Sequence, residues 1–322
     1  MDNIIAPVVI FTYTRFEHLR QTVDSLSACV LADQTELFVF SDAPASSEDS
    51  HLVAKVRSYL SNISGFKSVT IIEREFNLGS FANIREGSDF VFSLYDRAII
   101  MEDDLVVGNN FLTFINEGLA TFEKDPKILG ICAHLQIPLD RMNIESPFVA
   151  SWRSGYGVGV WRDKERILHD VLLNSDLFHA VMTNFKLFLN FIRGSVHGRS
   201  LPSIVYGGAK YGDIQIGIVM NFLGFRAVYP PVNMVKNIGF DGSGVHSGTQ
   251  MHLSNQKVHN FYVSNSNSEL PDNSNFRLIV TKQGFFIRFF LDCLVYFIIN
   301  FIPFGFKIYS NLKTFWKFSR SL

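Results

Sequence analysis

The sequence predicts an α/β protein, a mostly parallel sheet flanked by helices, with an apolar helical tail at its carboxyl end. Three observations lead there. Early in the chain, short apolar runs alternate with stretches whose apolar residues recur at helical spacing. Acidic residues follow two of those runs directly. Late in the chain, Phe285 to Phe306 is almost continuously apolar.

Val8-Val9-Ile10-Phe11, preceded by Pro7 and followed by Thr12, Tyr13 and Thr14, has the unbroken apolar character of a strand buried on both faces. Residues 15–29 form a helix, with Phe16, Leu19, Val23 and Leu26 on one face. Leu37-Phe38-Val39-Phe40 is a second strand, ending at Ser41-Asp42-Ala43-Pro44. Residues 48–61 form an amphipathic helix, with Leu52, Val53, Val56 and Leu60 on one side. Residues 69–72 make a third strand, 83–94 a third helix, and Ala98-Ile99-Ile100-Met101 a fourth strand ending at Glu102-Asp103-Asp104. Strand and helix in alternation imply parallel pairing with helices on both faces, and ligands of such sheets bind at the carboxyl ends of the strands. Asp42 and the triplet 102–104 both fall at such ends.

Residues 130–263 read as less regular, with a helical stretch at 177–192, and the polar segment 264–275 reads as a linker. The expected organisation is one nucleotide-binding half at 1–130, an acceptor and catalytic half at 131–263, a linker at 264–283 and a helical tail at 284–322. The chain has 322 residues, 47% of them apolar and 18% charged, which supports a large core and argues against disorder. Its formal net charge of -1 gives no electrostatic case for nucleic acid. The three cysteines, Cys29, Cys132 and Cys293, are odd in number and far apart, as expected in a reducing compartment. The first residues lack the basic and apolar regions of a secretory signal, so a cytoplasmic location is expected.

Three consecutive acids after a buried strand repel one another. A divalent cation such as magnesium or manganese would relieve that repulsion and would neutralise charge on a departing diphosphate. Capping of the helix that starts near Asn110 would explain the acids equally well. With its flanks, from Ile99 through Glu102-Asp103-Asp104 to Asn110-Phe-Leu-Thr-Phe, the cluster resembles the acidic metal-binding motif of GT-A glycosyltransferases. It is similar to the form found in N-acetylglucosaminyltransferase I and in bacterial family-2-like sugar transferases. The resemblance implies a GT-A fold, with Asp104 as direct metal ligand and Glu102 and Asp103 on the donor sugar or ribose.

The same resemblance covers roughly residues 5–250. Pro7 and Thr12 to Arg15 match the first strand and loop, where base and ribose lie, and Asp42 matches the acid that recognises the base. As a residue before Pro44, Asp42 is also an ordinary turn aspartate. Asn77-Leu-Gly79, with Asn83 and Arg85, resembles the segment after the third strand. Gly79 would let backbone approach the nucleotide and Arg85 would pair with phosphate, although a glycine turn before a helix reads the same way. Ser151 to Asp163 resembles a glycine-rich aromatic loop. It implies Arg153 at the donor and Tyr156, Gly157 and Trp161 at the acceptor, with Val158 where the family has tryptophan.

The most specific match runs from Tyr211-Gly-Asp213-Ile-Gln215 through Gly224 and Tyr229-Pro230-Pro231 to Asn237-Ile-Gly239-Phe-Asp241-Gly-Ser-Gly244-Val-His246. It implies Asp213 as the general base that deprotonates an acceptor hydroxyl, with inversion at the anomeric carbon, and His246 as a second metal ligand. Asp213 could equally cap the helix that follows it.

The activity these features imply is hexosyl or N-acetylhexosaminyl transfer from a nucleotide sugar to a saccharide or lipid-linked saccharide. The implied setting is bacterial lipopolysaccharide, O-antigen or capsule assembly. The Phe-rich segment, followed by Lys307, Lys313, Lys317 and Arg320, fits a helix lying on the inner face of the plasma membrane first, a terminal helix packed onto the body second, and one crossing the membrane third. A nucleotidyltransferase is the nearest enzymatic rival, but residues 12–19 lack its glycine-rich phosphate loop with lysine. A non-catalytic sugar-binding scaffold should lack some of Asp104, Asp213 and His246, and all are present.

Overall fold

A computed structural model of the chain describes residues 5–135, 144–173, 176–194, 201–208, 212–243, 258–259 and 285–310. It gives no side-chain account of 173, 176, 193, 194, 213 and 285–289. Two compact units are distinguished. The first holds the described residues of Met1–Val149, Ser154–Arg166 and Ala227–Pro271, and the second those of Ala150–Arg153, Ile167–Arg226 and Asp272–Leu322. The expected division near residue 130 does not appear in this form, because the chain after it returns to complete the sheet of the first unit.

That sheet comprises, in chain order, β1 (Val8–Thr12), β2 (Glu36–Ser41), β3 (Ser68–Glu73), β4 (Arg97–Glu102), β6 (Ile128–Cys132), β7 (Phe148–Ala150), β8 (Val158–Trp161) and β9 (Arg226–Tyr229). The strand order among the described residues is β3-β2-β1-β4-β8-β6-β9-β7. β1 pairs in parallel with β2 and β4, and β2 with β3. β8 is antiparallel to both β4 and β6. The expected mostly parallel sheet is therefore mixed. Parallel pairing needs a crossover connection each time, and only the first four strands are linked that way, by α1 (Phe16–Ser27), α2 (Ser50–Leu60) and α3 (Gly79–Leu94).

Side-chain alternation sorts the helices onto the two faces. Val8, Ile10, Leu37 and Val39 share a core with Leu19, Val23 and Leu26 of α1, Val56 and Leu60 of α2, and Ile115 and Leu119 of α4 (Phe111–Thr121). Phe38 and Phe40, at the intervening positions, meet Phe90 of α3 edge-on, with ring centroids 6.5 and 6.0 Å apart. Phe11 stacks on Phe40 at 5.5 Å. Helices on both faces explain why β1 is buried along its whole length.

A small second sheet pairs β5 (Leu105–Val107) with β10 (Val235–Asn237), antiparallel, with Leu105 opposite Asn237. Its register brings residues 237–239 beside the acidic turn. The other edge of β5 faces α1, where Leu105 N–H donates to Thr22 Oγ1 at 3.0 Å and Val107 N–H to Ser25 Oγ at 3.1 Å. Two hydroxyls three residues apart on one helix thus take the place of a neighbouring strand.

The second unit contains α5 (Arg162–Leu173) from Ile167 onward, α6 (Asp176–Thr183), α7 (Phe185–Gly194), α8 (Leu201–Val205), α9 (Gly212–Leu223) and α10 (Phe285–Phe301). The helix expected at 177–192 is two helices. Asn184 separates them, its Oδ1 accepting from Lys186 N at 3.1 Å and Leu187 N at 3.2 Å, the geometry of a new N-cap. The linker expected at 264–283 lies outside the described residues.

Candidate active site

The chain runs from β1 outward through β2 to β3, then crosses back to place β4 on the other side of β1. The carboxyl ends of β1 and β4 therefore flank a topological switch point, where open α/β sheets form their ligand crevice. Thr12 ends β1, Glu102 ends β4, and Asp103 and Asp104 follow it.

The two aspartates are buried and tied down from three directions. Thr12 Oγ1 donates to Asp103 Oδ2 at 2.8 Å. Arg15, at the start of α1, reaches Asp103 Oδ1 at 2.5 Å and Asp104 Oδ2 at 3.0 Å with one nitrogen, Nη2. Thr22 Oγ1 donates to the Asp103 carbonyl at 2.9 Å. From β10, Asn237 Nδ2 approaches Asp104 Oδ1 at 3.4 Å, while Ile238 N–H donates to the Asp104 carbonyl at 2.8 Å. Asn237 Oδ1 in turn accepts from Gly239 N–H at 2.7 Å. Gly239 lies so close that a β-carbon there would sit 2.1 Å from Asp104 Oδ2 and 2.9 Å from Arg15 Nη1, so glycine is required by contact. His18 Nε2, one turn along α1, meets Asp241 Oδ2 at 3.1 Å.

Burial pushes the Asp104 carboxyl above its ordinary range. Arg15 works against that rise and Asp103 adds to it. Burial also opposes charge on Arg15, but the two aspartates outweigh it and its affinity for protons rises. One guanidinium facing two buried carboxylates leaves negative charge unbalanced. Ser243, through its hydroxyl and backbone N–H, holds Asp241 below its ordinary value.

That imbalance is the test of the expected divalent ion. Asp104 supplies a hard oxygen donor where positive charge is wanted, and magnesium or manganese at nucleotide sites commonly takes only one or two protein carboxylates beside substrate phosphates. Among the described residues no group of three His, Cys, Asp or Glu side chains could hold an ion by itself. An ion held at Asp104 would need further ligands from outside these side chains. His246, the other expected ligand, lies outside the described residues.

Beside this turn, β2 ends at Asp42, whose carboxylate is spent on backbone. Oδ1 accepts from Ala43 N–H and Leu78 N–H at 2.9 Å each, and Oδ2 from Gly79 N–H at 2.9 Å. Gly79 has φ of 72°, open only to glycine at little cost, and begins α3. Asn77 Nδ2 donates to the Ala43 carbonyl at 2.6 Å. Asp42 and Asn77 therefore build the loop. Asn83, buried one turn into α3, accepts from Arg74 Nε at 3.0 Å. Arg57, from the end of α2, donates to the Asp42 and Arg74 carbonyls at 3.4 and 2.9 Å.

Three further expected site residues are placed as follows. Pro7 immediately precedes β1, and at about 3.3 Å per residue it lies roughly 16 Å from Thr12, at the opposite end of the strand from the crevice. Arg85 is exposed and, two residues after the buried Asn83, points from the opposite side of α3. Trp161 is only 2% exposed, its indole N–H donates to the Leu119 carbonyl at 3.2 Å and Lys164 Nζ lies 3.6 Å from its ring centre. A ring covered in that way has no face to offer a sugar.

Gly157 is buried against the Phe111 ring with φ of 70°. Tyr156 is half-buried, its ring 5.1 Å from that of His134. Glu102 is exposed at the end of β4. Arg153 is buried within the second unit, and Asp213 lies in the first turn of α9 in that unit, with its side chain outside the description.

Sequence reading gave no role to Thr22 or Asn237 and did not foresee the Asp42 staple. Thr22 had one available signal, a hydroxyl on the buried face of an otherwise apolar helix stripe.

No protein-family model matches the chain, and no curated protein matches it in sequence. Among solved structures it is similar to a mannosyltransferase from Pyrobaculum calidifontis in complex with GDP-Man and Mn2+, at 13% identity and a TM-score of 0.35. That match covers 51% of this chain and 46% of the other. It is similar to TarS of S. aureus at 12% identity and a TM-score of 0.33, covering 48% of this chain and 28% of the other. An active-site mutant of LgtC aligns at 12% identity and a TM-score of 0.35, covering 70% and 71%. This chain thus spans less than half the length of the first two. Overlaps this slight decide nothing about its activity, which has to be read from its own residues.

Proposed function

We propose that the chain is a GT-A-type glycosyltransferase that moves a sugar from a nucleotide-sugar donor to a saccharide or lipid-linked saccharide. One observation carries the reading: the buried, charge-unbalanced Asp103–Asp104 turn stands at the switch point of the parallel strands, bridged by Arg15. A crevice of that kind, with carboxylates and a guanidinium together, suits a nucleoside diphosphate and its cation.

In this reading Thr12, Thr22 and Asn237 fix the acidic turn, and Asp104 would hold a manganese or magnesium ion. Such an ion, when bound, neutralises charge on the diphosphate leaving group. Arg15 supplies a further positive charge beside the phosphates. The loop stapled by Asp42 offers backbone and Gly79 to the nucleotide. Asp213 is the proposed base, accepting the proton of the attacking acceptor hydroxyl, and the outcome is inversion. The transferred sugar is a hexose or an N-acetylhexosamine. A role in bacterial surface polysaccharide synthesis, at the inner face of the membrane, belongs to the same proposal and is supported by the apolar, basic carboxyl end.

The test is nucleoside diphosphate release from a panel of nucleotide sugars, with manganese, magnesium or chelator, and with detergent-solubilised acceptors. Metal-dependent release with one donor, lost in Asp104→Ala and Asp213→Asn, is expected. Failure to bind or turn over any nucleotide sugar would overturn the reading in favour of a sugar-binding scaffold.

A further inference from the structure

The inward face of α10 is fully engaged within the second unit. Tyr296 Oη–H donates to the Thr183 carbonyl at 3.1 Å, and Asn300 Nδ2 to the Met182 carbonyl at 3.2 Å. The Tyr296 ring lies 4.7 Å from Phe188 and 5.1 Å from Phe185, and Asp292 and Val295 are buried. Packing against α6 and α7 thus accounts for one side of the helix only.

The other side carries Phe290, Leu294, Phe297 and Phe301, all exposed, with Phe290 at 66% and Phe301 at 71%; Phe297 lies at the edge of this face, its ring 5.3 Å from that of Phe185 in α7. At 100° per residue these four fall within about 60° of one another, a single stripe. Phe304, 82% exposed with φ of 60°, and Ile308 continue the apolar surface beyond the helix. A phenylalanine held in the left-handed region is under strain that packing does not explain, because most of its side chain touches nothing.

Charge identifies the occupant. Residues 272–322 carry seven basic side chains against two acidic ones in a chain whose net charge is -1. One of the two acids, Asp292, is buried on the inward face. Lys307, six residues after Phe301, is exposed. No helix among the described residues is long and apolar enough to cross a membrane. A phenylalanine stripe in a segment whose sequence is net basic matches an anionic lipid surface, into which rings insert while lysines meet headgroups.

We propose that the stripe Phe290, Leu294, Phe297 and Phe301, extended by Phe304, is a docking surface for an anionic lipid bilayer, with α10 lying in the plane of the interface. The inference rests on the proposed reading of a membrane-held acceptor and names the surface that would reach it.

Co-sedimentation of the full chain with phosphatidylcholine vesicles, with and without phosphatidylglycerol, tests it. Binding is expected with the anionic vesicles and should weaken with salt. It should fall at least about tenfold in Phe297→Ser/Phe301→Ser, since each buried ring contributes well over the energy of a tenfold change. Phe304→Gly, which relieves the positive φ and so keeps the fold, should weaken binding too, and Lys307→Glu should reduce the preference for anionic lipid. Diphosphate release with a soluble saccharide acceptor, measured on the same samples, should be unchanged in all variants. Absence of vesicle binding by the wild-type chain, with that release intact, would overturn the docking surface and leave the enzymatic reading standing. Equal binding by wild type and both Phe variants would do the same. So would concentration-dependent self-association that the Phe variants abolish, which would identify a second copy as the occupant.

Discussion

Thr22→Val removes the hydroxyl by which α1 holds the acidic turn while keeping the side chain's shape. Thr22 is fully buried, and its Oγ1 both donates to the Asp103 carbonyl at 2.9 Å and accepts from Leu105 N–H at 3.0 Å. The amide of Leu105 points away from β10, so valine leaves it without a replacement in the ladder. A buried backbone group stripped of its partner costs about 1–3 kcal/mol, so the two together cost roughly 3 kcal/mol. Thr22→Ser keeps both bonds and loses one methyl, about 1 kcal/mol. For a unit of this size each kcal/mol lowers the melting temperature by about 3 °C, so valine should cost roughly 9 °C and serine roughly 3 °C. Thermal unfolding followed by circular dichroism gives the ranking. Hydrogen exchange gives its location, with the Leu105 amide losing protection in the valine variant alone. A valine variant that melts with wild type, or a serine variant as damaged as valine, would refute the assignment of the hydroxyl as the tether. Affinity for the metal–nucleotide complex should fall with valine and hold with serine.

Asp42→Asn replaces one acceptor oxygen with a donor facing backbone N–H groups, which should cost roughly 2 kcal/mol and expose the Gly79 amide to exchange; unchanged Gly79 protection would show the staple to be dispensable. Gly239→Ala drives a methyl into Asp104 and Arg15, so metal-dependent nucleotide affinity measured by calorimetry should drop at least about tenfold, beside a fall of about 3–9 °C in melting temperature from overpacking. If affinity is unchanged, the 237–239 segment does not shape the site. Lys164 is pushed down by burial from 10.5 to about 8, between the Phe122 and Asp125 carbonyls. Between those values the unfolded chain holds a proton that the folded protein has released, so raising pH across the window should stabilise the fold. Urea unfolding at both ends of the window should show that gain in wild type relative to Lys164→Met, and equal pH responses would contradict it.

The strand cores at 8–11, 37–40 and 98–101, and the placement of the acids just past the last of them, were legible because a strand buried on both faces must be apolar throughout. Helix periodicity located α1 and α2 to within two residues, since each needs one apolar stripe. Periodicity placed the start of α3 at 83, four residues late. Its true start at Gly79 is set by Asp42, a carboxylate from another strand that no local pattern reveals.

The same reason explains the rest. Arg15 and Thr22 meet the acidic turn across more than eighty residues of chain, and Asn237 reaches Asp104 from 133 residues away. Trp161 looked like a sugar platform in sequence and became a core ring once β8 inserted, antiparallel, beside β4. Sequence alone determines which segments can bury their side chains and where charge must accumulate at their ends. Which carboxylate is spent on backbone amides and which remains for a ligand is decided only by tertiary structure, because a buried oxygen takes the nearest donors that long-range packing brings to it.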